Sequence, residues 1–405
     1  MAELRSGTAG LRSGATADAH PIAPADRKVA IDVVRGIALY GVMAINVTTE
    51  FRVSIFEQFL HDHVDGGWLD RALHSFLMIG IDLKAFALFS LLFGVGLAIQ
   101  HDHLAPHPQR ITLLIRRLAF LMLVGGAHLL LVWNGDILFE YAMVGFMVVP
   151  LLFGPSRLPA VIGLGLLTAF IASPFLPPIA TMPSRSWMTQ AVAEATRIYG
   201  SGGFADVFGY RIRELPGLLP LHLFIFPRTV ALMLIGAAAW RAGLFQRGSG
   251  ASRWLPMAAA IGVGCGAALA AIHAIGLLDL GWRRQLSLER LSTVLLAFGY
   301  SASIVWAFEK TRARSLLAWA APLGRMAFTN YVMQSVVFGW LFYGYGLGLF
   351  AKIGVATALA IGTIVYAAQA ILSAQWLLRY RFGPLEWLWR SAMYGVWQPF
   401  RSGLI

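Results

Sequence analysis

The chain has one cysteine, Cys265, among 405 residues. A disulfide framework and a cysteine-based metal site are thereby excluded. Cys265 lies in an apolar run, where a lone thiol is expected to act as a small buried hydrophobe. Charge is also scarce. Charged residues make up 13% of the chain, against roughly 25% in an average soluble domain. Acidic residues are the scarcer sign, 20 against 32 basic, for a formal charge of +12. Four motifs are missing: the phosphate-cradling P-loop, the G-x-S-x-G elbow, the H-E-x-x-H pair and the Rossmann fingerprint. Their absence excludes, by motif, an ATP-driven pump and an ordinary hydrolase. No internal repeat is visible, so an inverted-repeat transporter gains no support.

What remains is apolar. Hydrophobic residues make up 58% of the chain, and the mean hydropathy is +0.67. About 20 apolar residues cross a bilayer. That criterion predicts ten spans, at 29–48, 74–99, 112–134, 137–154, 159–178, 217–240, 255–278, 292–309, 326–350 and 354–377. The expected fold is an all-α, polytopic transmembrane helix bundle. Residues 1–28 are polar and lack an apolar core, so they read as a disordered cytoplasmic tail. Residues 29–377 form the bundle. Residues 378–405 read as an amphipathic cytoplasmic segment, in which Glu386 and Arg390 stand at i, i+4.

The arginines sort by connection. Arg110, Arg116 and Arg117 flank the start of the third span. Arg157, then Arg241, Arg247 and Arg253, then Lys310, Arg312 and Arg314, follow the fourth, sixth and eighth. Arg379, Arg381, Arg390 and Arg401 follow the tenth. The positive-inside rule makes that side, and both termini, cytoplasmic. Arg283, Arg284 and Arg290 fall on the other side and run against it. The basic excess therefore meets anionic headgroups and sets topology; it does not call for nucleic acid. The expected partners are membrane lipids and, as similar bundles often dimerise, a second copy in a homodimer.

Two histidine-rich stretches invite a metal, HDHVDGGWLD from 61 and HDHLAPH from 101. Neither fits a zinc template, and both read better as solvated loops, so no metal is expected. The segment 186–200 carries Trp187, Val192, Ala195 and Ile198 at helical spacing and suits the membrane interface.

Chemistry is expected where polar residues interrupt the spans, because a charge at bilayer depth costs roughly 2.5–3.5 kcal/mol on insertion scales. Asp32 and Arg35 share a helix face in the first span, as a packing clamp or as part of a site. Asn46 lies about three turns further. Lys84, well inside the second span, needs a counter-charge or an anionic ligand. Arg116 and Arg117 can hold a phosphate or serve as topology anchors. His128, about three turns above them, is either a general base or a hydrogen-bonded core residue. Asp136 and Glu140 place carboxylates near it, to orient the imidazole or to cap the next helix. Arg228 lies in the sixth span. Arg325, Asn330 and Gln334 mark the ninth, where interhelical hydrogen bonding explains the two amides as well as ligand binding does.

The stretches DVVRGIAL, LFSLLFGVGLAI, AHLLLVWNGDILFEYA, MLIGAAAWRAGLF, GRMAFTNYVMQS and GPLEWLWR, in this order, resemble the YeiB-like family of bacterial inner-membrane proteins, also called domain of unknown function 418. The opening acid-x-x-Arg-Gly, with a polar residue at the far end of the helix, is similar to the acyltransferase-3 and heparan glucosaminide acetyltransferase groups. That wider resemblance implies an acyltransferase. Acyl-CoA is the implied donor, entering from the cytoplasm, and a sugar, lipid or small metabolite at the outer side is the acceptor. It implies that Arg35, Arg116, Arg117, Arg325 and Lys84 meet the CoA, and that Asn330, Gln334, Glu140 and Arg228 meet the substrate. In the acyltransferase-3 group the outer polar residue is a histidine. Here it is Asn46, so the resemblance leaves Asn46 to hold the acceptor or an oxyanion, His128 to act as base and Asp136 to orient it. The competing expectation is a transporter of a small anionic or lipid-linked metabolite, which Lys84 and Arg228 fit equally well.

Overall fold

An apolar stretch in hydrocarbon has one local way to satisfy its own backbone, the α-helix. The computed structural model accordingly places the chain in helices, and it describes residues 28–60, 66–245, 250–274 and 281–401. In chain order these are α1 (Val29–Ile45), α2 (Trp68–Gly80), α3 (Lys84–His103), α4 (Arg110–Ala127), α5 (Leu138–Leu151) and α6 (Leu158–Ala172). Then come α7 (Arg185–Ser201), α8 (Phe204–Arg241), α9 (Leu255–Ala274) and α10 (Trp282–Lys310). The short α11 (Arg314–Leu317) and α12 (Ala320–Arg325) lead to α13 (Ala327–Phe342), α14 (Val355–Arg379) and α15 (Pro384–Tyr394). No strand occurs among the described residues. Among the described residues, eight helical stretches are long and apolar enough to cross a membrane. The protein is an all-α, multi-pass membrane bundle.

Each of the ten predicted spans overlaps a helix among the described residues, eight of them on helices long and apolar enough to cross a membrane, and three outlines change. The span expected at 74–99 is two helices, broken where Leu83 takes a left-handed φ of 57°. Lys84 therefore starts α3 instead of lying within a continuous helix. The loop expected at 179–216 holds α7 and the first turns of α8. α7 buries Met188, Ala191, Ala195, Ile198 and Tyr199 against the bundle, so it is packed and not merely surface-lying. α8 runs 38 residues through Pro216, Pro220 and Pro227 without a break in its assignment. The span expected to reach 350 ends at Phe342. Beyond residue 378, α15 is seated on α4 and α13. Cys265 is exposed on α9. In a helix whose outer face is bathed in lipid, an apolar run need not be a buried one.

α1 stands at the centre, touching α3, α10, α12, α13 and α14. Its approach to α12 is backbone against backbone. A Cβ at Gly36 would overlap the Ala320 carbonyl, and one at Gly324 would overlap the Asp32 carbonyl. Gly94 and Gly236 make the same reciprocal approach between α3 and α8. Small residues carry close helix contact in a membrane, where burial from water no longer drives association.

Two helices end unusually. α1 continues into a π-helical turn at Asn46–Phe51, and α4 into another at His128–Val132. Such turns are rare and gather at functional sites. Asn46 and His128, both singled out as chemical residues, each open one. Phe51 of the first turn stacks on Trp133 after the second, with ring centroids 4.6 Å apart, so the two turns meet.

A candidate ligand cavity and a buried histidine–aspartate pair

A cavity of about 230 Å³ opens at the end of the bundle where α1 begins, far above the ~10–15 Å³ that one water needs. Lys28, Asp32, Arg35, Arg117, Arg325, Glu386 and Arg390 surround its mouth. Its walls are apolar, with Leu92, Phe93, Ile99, Leu121 and Phe328. Its inner end is closed by Val42, Ile137, Leu138, Tyr141 and Tyr331.

The mouth carries five cations and two acids, and both acids are engaged. Asp32 lies 3.6 Å from the Arg35 guanidinium. Glu386 takes hydrogen bonds from the Phe328 N–H (2.8 Å), the Thr329 N–H (3.1 Å) and the Thr329 hydroxyl (2.6 Å). It thus caps the start of α13 and moors α15 there, where the helix dipole favours a carboxylate. Burial lifts the Glu386 carboxyl above its ordinary value, with those hydrogen bonds opposing the rise. Arg117 lies over the Trp389 ring at 4.0 Å, and the Trp389 indole N–H donates to the Arg117 carbonyl at 2.7 Å. A flat guanidinium held on an indole face is oriented by the ring, and among the described residues no carboxylate pairs with it, which leaves its charge for an anion.

At the other end of α4 lies the second centre. His128 and Asp136 are each 2% exposed. His128 Nδ1 is 2.8 Å from Asp136 Oδ1. The other carboxylate oxygen accepts the Phe139 N–H at 2.7 Å, at the first turn of α5. Asp136 therefore does both jobs the sequence left open: it orients the imidazole and caps a helix. With Nδ1–H donated to the carboxylate, Nε2 carries the free lone pair. That nitrogen is buried and has no hydrogen-bond partner among the described residues, and the same holds for the amide oxygen of Asn46. Buried polar atoms are rarely left so. An imidazole oriented by a carboxylate, with its far nitrogen open, can accept a proton from a bound hydroxyl or amine.

Tyr331 joins the two centres. It lines the inner end of the cavity. Its ring lies 5.4 Å from that of His128, and its hydroxyl accepts the Ile137 N–H at 3.3 Å. Beyond His128 a small polar pocket is lined by Glu50, Ser54, Asn134, Gly135, Tyr199 and Glu214. There the Tyr199 hydroxyl and the Asn134 amide donate to one oxygen of Glu214, at 2.7 and 2.6 Å. Burial, with Glu214 beside it, pushes the Tyr199 phenol well above its usual range.

The structure gathers some of the predicted residues and disperses others. Arg35, Arg117 and Arg325 share the mouth, whereas Arg116, one residue from Arg117, is exposed and turned away from the cavity. Lys84 donates to the Met78 carbonyl at 3.0 Å, closing the break between α2 and α3, and does not line the cavity. Arg228 is fully buried in α8 with the Phe170 ring 6.0 Å away. Glu140 accepts from the Thr229 hydroxyl at 2.7 Å and faces His222 Nδ1 at 3.2 Å. Both lie outside the cavity lining. Asn330 and Gln334 bind helix to helix: Asn330 reaches Ser373 at 2.9 Å and Gln334 reaches Gln369 at 2.8 Å. The interhelical reading accounts for both amides. Lys28, Tyr141, Tyr331, Glu386, Trp389 and Arg390 were not expected at the site. Tyr331 sits inside a stretch already marked by its polar neighbours, but an aromatic among apolar residues gives no signal of its own. The stretch His61–Asp65 lies outside the described residues. Asp70, the last acid of that motif, accepts the Ala356 N–H at 2.9 Å.

Comparison with known proteins finds relatives over nearly the full length. The model of the family described as "Protein of unknown function (DUF418)" matches residues 239–396. The uncharacterised protein YxaH of Bacillus subtilis (strain 168) is 32% identical over 391 residues, covering 91% of this chain and 94% of its own. The uncharacterised protein YeiB of Escherichia coli (strain K12) is also 32% identical, over 90% of this chain and 96% of its own. An uncharacterised 39.9 kDa protein from the amylase 3′ region of Bacillus acidopullulyticus is 26% identical over 92% and 96%. With such identity across nine-tenths of its length, the chain belongs to the YeiB-like DUF418 family of membrane proteins.

Proposed function

We propose that the protein is an acyltransferase of the bacterial inner membrane. It would take an acyl group from acyl-CoA at the mouth of the cavity and hand it to an acceptor hydroxyl or amine at His128. The observation that carries this reading is the cavity itself: an excess of cations around the entrance, an apolar shaft behind it, and the His128–Asp136 pair just past its inner end. CoA has the matching polarity, with phosphates at one end and a reactive thioester at the other. The spacing supports it too. Arg117 to His128 and Arg35 to Asn46 are each eleven residues of near-continuous helix, or about 16 Å at 1.5 Å per residue. That length is comparable to the extended phosphopantetheine arm.

The positive-inside rule puts the arginine-lined mouth in the cytoplasm, where CoA is. In the reaction, His128 Nε2 takes the proton of the acceptor O–H or N–H while the acceptor atom attacks the thioester carbonyl. The tetrahedral intermediate collapses, the C–S bond breaks, and His128 returns the proton to the departing thiolate. The products are acylated acceptor and free CoA. Asp136 holds the imidazole tautomer and steadies its charge. Asn46 is placed to meet the developing oxyanion or the acceptor.

The test is thermal stabilisation of the purified protein in detergent by acetyl-CoA, octanoyl-CoA and free CoA. The expected result is a shift with every CoA species that Arg117→Ala weakens. No shift with any CoA at millimolar concentration overturns the proposal and favours transport of some other anion.

A further inference from the structure

The donor cavity meets His128 at Tyr331, which touches both: it lines the cavity's inner end and its ring lies 5.4 Å from the imidazole. Two aromatic rings at that separation leave no room for a chain to pass between them. The ring is also held from several sides. Its hydroxyl accepts the Ile137 N–H. Its helix is fixed in rotation by the residues on either side. Asn330 donates to Ser373 at 2.9 Å, Gln334 to Gln369 at 2.8 Å, and Gln369 back to the Asn330 carbonyl at 2.9 Å. Swinging Tyr331 aside would break its own hydrogen bond and disturb this network, so the ring is held in place at the end of the cavity.

From this we infer that Tyr331 is the specificity-determining residue for the acyl group, and that it limits the donor to short acyl chains of a few carbons. The inference rests on the acyltransferase reading. A thioester placed near the inner end has the apolar shaft behind it, already filled by the pantetheine arm, and Tyr331, Tyr141, Ile137 and Val42 ahead. An acetyl-sized group fits against that wall. Each further methylene has to displace the wall or fold back on the arm. Removing the ring would vacate its own volume at the inner end of the cavity, beside the buried His128 and Trp133, and a longer chain could then enter. Asn330 and Gln334 would serve this role indirectly, as positioning residues that aim Tyr331.

The experiment measures Kd for free CoA, acetyl-CoA, butyryl-CoA and octanoyl-CoA by calorimetry in detergent, on wild type, Tyr331→Phe and Tyr331→Ala. In wild type and Tyr331→Phe, octanoyl-CoA should bind at least about tenfold more weakly than acetyl-CoA. In Tyr331→Ala it should gain at least about tenfold, since each buried methylene contributes about 0.8 kcal/mol, while free CoA is unchanged. Should the alanine variant fail to fold, Tyr331→Leu keeps apolar bulk without the ring and should show the same gain. Octanoyl-CoA binding wild type as tightly as acetyl-CoA overturns the inference, and so does an unchanged chain-length order in both variants. In those two cases CoA binding itself persists and the acyltransferase reading stands. Only a failure of every CoA species, free CoA included, removes both together.

Discussion

The mouth of the cavity and the pair at its far side hold polar groups in opposite ways. At the mouth, Lys28, Arg35, Arg117, Arg325 and Arg390 are partly open to water and act together. No single charge there is indispensable, because solvent and salt share the work of stabilising an anion. At the far side, His128, Asp136 and Asn46 are dry and few. Each buried group depends on one or two partners, and an unmade hydrogen bond there costs its full desolvation. The first region suits graded capture of a multiply charged ligand. The second suits a step that must occur in one geometry.

That contrast can be broken most sharply at His128. His128→Ala should lower acyl transfer by about 10²–10⁴-fold, the usual worth of a general base, while leaving the Kd for free CoA unchanged; paired activity and binding titrations check this. An equal loss in both would merge the two regions. Asp136→Ala should act on chemistry and fold at once. It strands His128 Nδ1 and the Phe139 N–H, so melting in detergent should drop by an amount corresponding to ~1–3 kcal/mol. Arg117→Ala should weaken CoA binding by about tenfold, or 1.4 kcal/mol, without altering single-turnover transfer at saturating CoA. The deficit should shrink as salt rises, since screening already weakens the wild-type contact. Arg116→Ala, one residue away but outside the cavity, should leave the same Kd unchanged.

The smallest effect is one of pH. Burial raises the Glu386 carboxyl above its ordinary value of 4.5. A carboxyl raised on folding favours the folded state fully below the unfolded value and loses that contribution as pH climbs through the folded one. The mooring of α15 should therefore be firmest on the acid side and slacken above the raised value. Protease protection of the C-terminal segment against pH should show this decline, and Glu386→Gln should flatten it.

How far the sequence reaches differs between the same two regions. Asp32, Arg35, Arg117, His128 and Asp136 were legible because a polar residue in an apolar run stands out, and because i, i+3 spacing and the turn Asn134–Gly135–Asp136 bring the partners together locally. Lys84, Arg228 and Glu140 stood out for the same reason, yet the structure engages them elsewhere, with the Met78 carbonyl, the Phe170 ring, Thr229 and His222. Intrusion of a charge into a span signals a burial that must be compensated; it does not say by what. Tyr331 and Trp389 fall in stretches the sequence marked, but neither stood out as a site residue, since an aromatic in a membrane protein is ordinary until a neighbour gives it a task.

Length, hydropathy and the scarcity of acid determined by themselves that this chain is a multi-pass helical bundle, because hydrocarbon leaves an apolar segment no other way to satisfy its own backbone. The pairing of helices was settled only in three dimensions, where Gly36 meets Ala320, Gly324 meets Asp32 and Gly94 meets Met233. The same packing decided which of two adjacent arginines faces the cavity, the π turns that carry Asn46 and His128, and the placing of Tyr331 at the end of the cavity. Those choices depend on contacts between residues up to three hundred positions apart, and van der Waals fit between distant helices leaves no periodicity in the sequence.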